Sequence, residues 1–372
     1  MTNIHIYPSS MKNESRILKE VHTIKKLNIF DEIILLGIWD NNPSTSWSID
    51  ETIKVKLIKT YNSGKILKYL FLYIALLKIM STKKIKQLNI HNIELLPFAY
   101  IAKKLFKSTV IYDTHELETE RNSLGGKRQK LYRKMEKKFI GYCDRVIVVG
   151  DAIAEFYKKL YPKLDKPTVV LNTPYYKKGQ KRDIFRQKFN IPKNKTIFLY
   201  QGSLSKGRNI EMILDTFKQQ KRDDAVVVFM GYGDFIESVK SSANNYDNIY
   251  FHEAVAPNIL QKYTSSADFG ISMIEDSCLS YHYCLPNKMF EYLMAEVPVI
   301  VSNLPEMKAI VEQNQVGIVA TENSKEGLKK AIEDSMKLDK KTIKKNIQKI
   351  KKSYNWENQE KILIKLYKGL AS

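Results

Sequence analysis

Cysteine is scarce: Cys143, Cys278 and Cys284 are the only three in 372 residues. They form no CxxC pair and leave an odd thiol, which excludes a disulfide scaffold or zinc ribbon and points to a reducing cytoplasm. There is no HExxH, no spaced Cys/His set and no DxD, so no metal site is expected. GxxxxGK[ST] is missing, and no GxGxxG follows the first strand, which speaks against a Walker nucleotidase and a dinucleotide oxidoreductase. Long apolar runs are missing as well. The longest, 69–77, has nine residues between Lys68 and Lys78, about half of what a spanning helix needs. It reads as a buried crossover helix. The opening MTNIHIYPSS reads as a strand and turn, not as a signal sequence.

What abounds is positive charge. Against 40 acidic residues stand 61 Lys and Arg, a formal net charge of +21, so an anionic partner is implied: nucleic acid, a phosphate-bearing substrate or a membrane surface. Residues 1–200 hold 38 basic and 18 acidic side chains, 201–300 hold 8 and 13, and 301–372 hold 15 and 9. A lysine-rich genome bias would not have spared 201–300. No RNP motif, zinc finger or helix-turn-helix pattern is present, so nucleic acid is not the expected partner.

Short β-branched runs alternate with longer 3.6-periodic segments, the pattern of parallel sheets with crossover helices. Strands are predicted at 3–7, 32–37, 53–58, 88–91, 109–113, 145–149 and 168–172. A polar, basic stretch, 174–195, reads as a linker. The pattern then restarts, with strands at 196–202, 226–233, 248–253, 268–274 and 298–302, and closes with helices at 324–337, 340–353 and 356–370. Two doubly wound units facing one another would place a cleft at the C-terminal strand edges, where ligands of open α/β sheets bind.

The most informative block is LPNKMFEYLMAEVPVIVSN, 285–303. Leu285, Pro286 and Asn287 lead into a helix whose first turn projects Lys288 and Glu291 on one face. Free amides at that helix start attract phosphate, Lys288 adds a point charge, and Glu291 is placed to accept from a vicinal diol such as ribose. Taken alone, the same residues fit a plain N-cap at Asn287 and a surface ion pair. In YQGSLSKGRN, 200–209, the chain leaves a strand at Gly202 and Ser203 and brings Lys206 and Arg208 to a helix start, where cations oppose the dipole and ask for an anion. Plain exposure explains Lys206 as well. VFMGYGD, 228–234, makes a further turn with Gly231, Tyr232 and Gly233, a weak signal by itself. In the first half, YDTHELETE closes a strand beside His115, where a neutral imidazole suits a sugar hydroxyl. His91 is a weaker candidate, and Glu116, Glu118 and Glu120 are assigned to a solvated loop.

In order and spacing, ESRILKE, YDTHE, DRVIVVGDAI, VVLN, YQGSLSKGRNIE, FMGYGD, ADFGISMI, LPNKMFEYLMAEVPVI and SYNWEN resemble the retaining, nucleotide-sugar-dependent glycosyltransferases of GT-B fold known as family 4. The resemblance spans nearly the whole chain. It implies an α/β protein of two Rossmann-like doubly wound domains: 1–180 for the acceptor, 181–355 for the donor, and a helix at 356–372 that packs back on the first. It also implies that Glu291 binds the donor ribose, Arg208 and Lys288 the diphosphate, the turn at 231–233 the nucleotide and His115 the transferred sugar. Gly202, Ser203, Leu285, Pro286 and Asn287 would complete the donor site. Tyr283 stands where many members carry the first carboxylate of an E-x7-E pair, Gly202-Ser203 replaces a frequent Gly-Arg, and YPSSMKNES replaces a glycine-rich loop.

The implied reaction moves a sugar from a nucleotide diphosphate sugar to a hydroxyl of a glycan or lipid-linked acceptor, with retention and with neither metal nor cofactor. Capsule, O-antigen or teichoic acid synthesis in bacteria is the implied setting. A GT-B sugar-nucleotide epimerase and, further off, a basic nucleic-acid binder are the alternatives. Residues 51–150 hold 21 basic against 8 acidic side chains, which predicts a cytoplasmic protein held peripherally on the inner membrane face. The lysines of 127–138 are expected to touch anionic lipid.

Overall fold

The computed structural model describes residues 1–39, 46–60, 64–122, 124–219 and 223–371. They form two compact units: Met1–Asn172 together with the chain from Gln359, and Thr173–Asn358. The first unit is built on β1 (Thr2–Ile6), β2 (Glu32–Trp39), β3 (Ser46–Ser48), β4 (Ile53–Lys59), β5 (Ile85–Ile90), β6 (Thr109–Asp113), β7 (Arg145–Val148) and β8 (Thr168–Val169). These make one sheet in the order β3-β4-β2-β1-β5-β6-β7-β8. It is parallel except at its edge, where β3 runs against β4. The second unit holds β9 (Thr196–Ser203), β10 (Ala225–Tyr232), β11 (Ile249–Glu253), β12 (Phe269–Ser272), β13 (Val299–Val301) and β14 (Gly317–Val319). They form an all-parallel sheet, β11-β10-β9-β12-β13-β14.

Continuous apolar strands such as VVVFM in β10 follow from this parallel arrangement, since crossover helices cover both faces. In the second unit Phe198, Phe217, Phe229, Phe269 and Leu328 belong to one buried cluster. Each chain half starts at mid-sheet and reverses direction, between β1 and β5 and between β9 and β12. Such reversals open the binding crevice of a doubly wound sheet at the C-terminal strand ends.

Three local expectations are corrected. The stretch 174–195 is not simply a linker: it contains the helix Ile184–Phe189, with Phe185 fully buried and Arg186 paired to Asp268 at 2.9 Å. Glu118 and Glu120 do not sit in a solvated loop. Both are buried; Glu118 pairs with Arg121 at 3.0 Å, and Glu120 takes a bidentate pair from Arg133 at 2.6 and 2.7 Å. The run 69–77 lies in the helix Lys65–Thr82, of which only Leu72, Leu76 and Met80 are buried. Ile66, Leu67, Leu70, Phe71, Ile74 and Leu77 are exposed.

The helix Gly126–Phe139 buries Glu136, which accepts from the Tyr157 hydroxyl at 2.7 Å and the Tyr161 hydroxyl at 2.9 Å. Burial outweighs these bonds and pushes its carboxyl up to about 7, from 4.5. Because the folded value is raised, the unfolded chain ionises first, and stability present below pH 4.5 is lost as pH rises through about 7. The difference corresponds to ~3 kcal/mol. Glu136→Gln keeps an acceptor and removes the ionisation, so the fall in Tm between pH 5 and pH 8 should be smaller than in the wild type. An equal fall, measured by calorimetry, would refute this.

Candidate active site

In the second unit the C-terminal end of β9 carries the chemistry. Gly202 adopts φ +105°, a left-handed conformation that glycine accepts without a Cβ penalty. It opens the strand end toward Lys288, whose Cε and Nζ would stand 3.8 and 3.9 Å from a Cβ there. Register pairs Gly202 with Gly231 and Ser203 with Tyr232, so the two turns meet side by side. Tyr232 is exposed, and the Leu204 amide donates to its carbonyl at 2.7 Å. The Ser203 hydroxyl donates to that of Ser205 at 3.0 Å, and Gly233 completes the turn.

The helix Asn287–Met294 is held against β9 and β12 through Tyr292. Its buried hydroxyl accepts from the Gln201 amide at 2.9 Å and donates to the Leu199 carbonyl at 3.0 Å. A side chain at Gly270 would overlap the Tyr292 ring, which is why β12 has glycine at that point. This docking presents Lys288 and Glu291. Glu291 accepts from Gln201 Nε2 at 2.6 Å, and Gln201 in turn accepts from the Thr264 hydroxyl at 2.7 Å. Leu285 and Pro286 are half-buried before the helix, and Asn287 is exposed. Asn287 is the first helical residue and not an N-cap: Pro286 holds the cap position and makes no side-chain cap bond.

Lys288 is not part of a surface ion pair. Its stem is partly exposed, but its Nζ is shielded from solvent, has no hydrogen-bond partner and stands 3.6 Å over the centre of the Tyr200 ring. Burial, with Arg208 nearby, pushes its pKa well below the usual lysine range. Arg208 precedes the helix Ile210–Lys218 and lies 5.2 Å over the Tyr281 ring. Lys288, Arg208 and the first amides of the helix Asn287–Met294 thus come together near the β9 end, an arrangement whose charge suits a phosphate group. Tyr283 caps the short helix Leu279–His282 and packs edge-on against His282. Tyr200, Gln201 and Tyr281 went unrecognised in the sequence. Strand alternation, which puts Tyr200 and Gln201 on opposite faces of YQG, was the available signal for two of them.

The first unit places His115 at the β6 end, partly exposed and stacked on Tyr7. Behind it lies a buried cluster. Arg16 spans both carboxylate oxygens of Asp113 at 2.7 and 2.8 Å and donates to the Val170 carbonyl at 2.7 Å. Although burial opposes ionisation, Arg16 holds the Asp113 carboxyl well below its ordinary range. His91 Nδ1 lies 3.1 Å from Asp113 and its Nε2 2.8 Å from His5 Nδ1; His115 Nε2 is 3.3 Å from Asp113. Burial pushes His91 down to about 4 and His5 well below its usual value, so both are neutral. His5 donating to His91 Nε2 and His91 Nδ1 donating to Asp113 fit these distances, and His115 Nε2 lies within reach of both Asp113 and His91 Nδ1, the latter at 3.1 Å. Among the described residues His5, Glu20 and His91, and also His91, Asp113 and His115, bring metal-ligand atoms together. Arg16 already supplies the cationic charge there, so the donor set does not call for an ion.

Both sheets reverse at a switch point and the second has a cationic strand end, an arrangement of the GT-B fold. Residues 181–356 match the family described as glycosyl transferases group 1. No curated protein matches the chain. Among solved structures it is similar to a sucrose-phosphate synthase from Thermosynechococcus elongatus at 16% identity and TM-score 0.82, covering 100% of this chain and 99% of that one. It is also similar to HepE from Anabaena in complex with UDP and glucose, at 14% identity and TM-score 0.74, covering 99% and 100%. A trehalose-6-phosphate protein from E. coli, bound with UDP-2-fluoro glucose, matches at 8% identity and TM-score 0.71, covering 100% and 99%. At these identities the likenesses establish the fold, and the glycosyl transferases group 1 domain establishes the class of enzyme.

Proposed function

We propose that the protein transfers a sugar from a nucleoside diphosphate sugar to a hydroxyl of a glycan or lipid-linked acceptor, with retention and without a metal or cofactor. The setting is bacterial cell-surface polysaccharide synthesis on the cytoplasmic face of the membrane, with peripheral attachment. The carrying observation is Lys288: a shielded, unpartnered ammonium beside Arg208 at the β9 end, on the same helix face as Glu291. In this reading Lys288, Arg208 and the amides that open the helix at Asn287 stabilise the departing diphosphate. Glu291, oriented by Gln201, accepts from the ribose diol. Gly202, Ser203 and the turn Gly231, Tyr232 and Gly233 accommodate the nucleotide, while Leu285 and Pro286 shape the approach. His115 hydrogen-bonds a hydroxyl of the transferred sugar. Retention follows the resemblance of 285–303 to retaining members, in which the leaving phosphate oxygen takes the acceptor proton.

The test is protection against thermal unfolding by a panel of nucleotide sugars, led by UDP sugars because two structural neighbours hold them. A ligand at a hundred times its Kd adds about 2.7 kcal/mol. Protection by none of the panel would overturn the donor assignment. Transfer to acceptor should also survive EDTA; abolition by chelator with rescue by manganese or magnesium would overturn metal independence.

A further inference from the structure

The helix Lys65–Thr82 is apolar on two sides. One stripe, Leu72, Leu76 and Met80, packs inward. The opposite stripe stands in solvent: Ile66 is 85% exposed, Ile74 54%, Leu70 49% and Leu67 48%, with Phe71 and Leu77 beside them. A helix that only crossed over a sheet would carry polar residues there. It contains no acidic residue, and Lys65, Lys68 and Lys78 lie along it. The helix Gly126–Phe139 is basic as well: Lys127, Arg128, Lys130, Lys134, Lys137 and Lys138 are exposed around a 62%-exposed Leu131, and its one acidic residue, Glu136, is buried. Both helices are fastened to the turn Ile93–Leu95, where Glu94 Oε1 receives Lys65 Nζ at 2.7 Å and the Tyr132 hydroxyl at 2.8 Å.

We infer that these two helices form a docking face for an anionic phospholipid bilayer, the outer stripe of Lys65–Thr82 entering the interface and the basic helix contacting headgroups. This rests on the membrane attachment proposed above and names the surface that makes it. At ~1.5 Å per residue an 18-residue helix is about 27 Å long and suits an in-plane position. Among the described residues no helix is long and apolar enough to cross a membrane. Charge selects the bilayer over a second copy of this chain: a self-complementary contact would set lysine-rich faces against each other, whereas an anionic surface neutralises them. Arg133 is committed to Glu120 and is not part of the face.

The experiment is co-sedimentation of the full chain with vesicles of phosphatidylcholine containing 0% or about 40% phosphatidylglycerol, a range that brackets an anionic surface. Two variants are compared: Ile66→Gln/Leu70→Gln/Ile74→Gln, and Lys127→Gln/Arg128→Gln/Lys130→Gln/Lys134→Gln. Thermal protection by the nucleotide sugar serves as the control for an intact donor site. The wild type should sediment with anionic vesicles only. Each variant should lose at least about tenfold in partition while its donor protection is unchanged. If the wild type sediments but the apolar variant does so equally, the docking face is wrong and peripheral attachment survives. If the wild type stays in the supernatant, both fail. If the apolar variant turns a dimer into a monomer on gel filtration, the stripe covers a second copy and the inference is overturned.

Discussion

Lys288→Met should lower kcat by ~10²–10³, the size of effect seen when one preorganised electrostatic stabiliser is removed, with no loss of thermal stability. The two outcomes have one cause. In the free protein the Lys288 ammonium is shielded, unpartnered and near Arg208, so the fold gains little from its charge. A departing diphosphate supplies the missing anion. Methionine keeps the stem against Tyr200 and removes only that charge. The depressed pKa adds a second signature with a definite sign. For a lysine lowered by burial and a neighbouring cation, the empty site holds the proton less tightly than water does, and a bound diphosphate holds it more tightly. Nucleotide-sugar binding should therefore take up protons in the wild type, and less in Lys288→Met. Titration calorimetry in buffers of different ionisation enthalpy measures this. Wild-type turnover in the variant would remove Lys288 from the mechanism.

The second large effect concerns stability. Arg16→Met should destabilise the first unit by roughly 3–5 kcal/mol, as expected for stripping one partner from a buried pair. Asp113 would be left ionised, or would have to protonate, among His5, His91 and Glu20, with burial opposing its charge. The double variant Arg16→Met/Asp113→Asn should recover much of the loss, because a buried pair replaced as a whole is close to neutral. Urea unfolding of both variants and the wild type, followed as a double-mutant cycle, gives the coupling directly. A double variant no better than Arg16→Met would mean that Arg16 matters through packing and the Val170 bond alone.

The pieces of the proposed donor region were legible because they are local. Gly202, Arg208, Lys288 and Glu291 stand at strand ends and helix starts, which turn residues and periodicity mark along the chain, and 285–291 is one continuous segment. The helix Trp356–Ala371 was legible for the same reason, although its bond from Tyr367 to Asn89, 2.6 Å, joins residues 278 apart. What remained hidden was decided at a distance. Glu118 and Glu120 look solvated in a polar stretch, and only the arginines brought against them, one of them thirteen residues away, make their burial tolerable.

By itself the sequence determined two parallel, doubly wound sheets, because alternating β-branched runs and amphipathic helices admit few other packings. It also marked Arg208 and Lys288 as cations at helix starts of the second half. Only the tertiary structure decided that Lys288 would be an unpartnered cation and not a surface ion pair, since that depends on Tyr200 and Arg208 from another strand end. Only it gathered His5, Arg16, His91 and Asp113 around His115, residues that no spacing rule connects. And only it left one side of Lys65–Thr82 uncovered. Hydrophobicity states that a side chain prefers to leave water, while the shape of the neighbouring elements settles whether there is anything for it to be buried against.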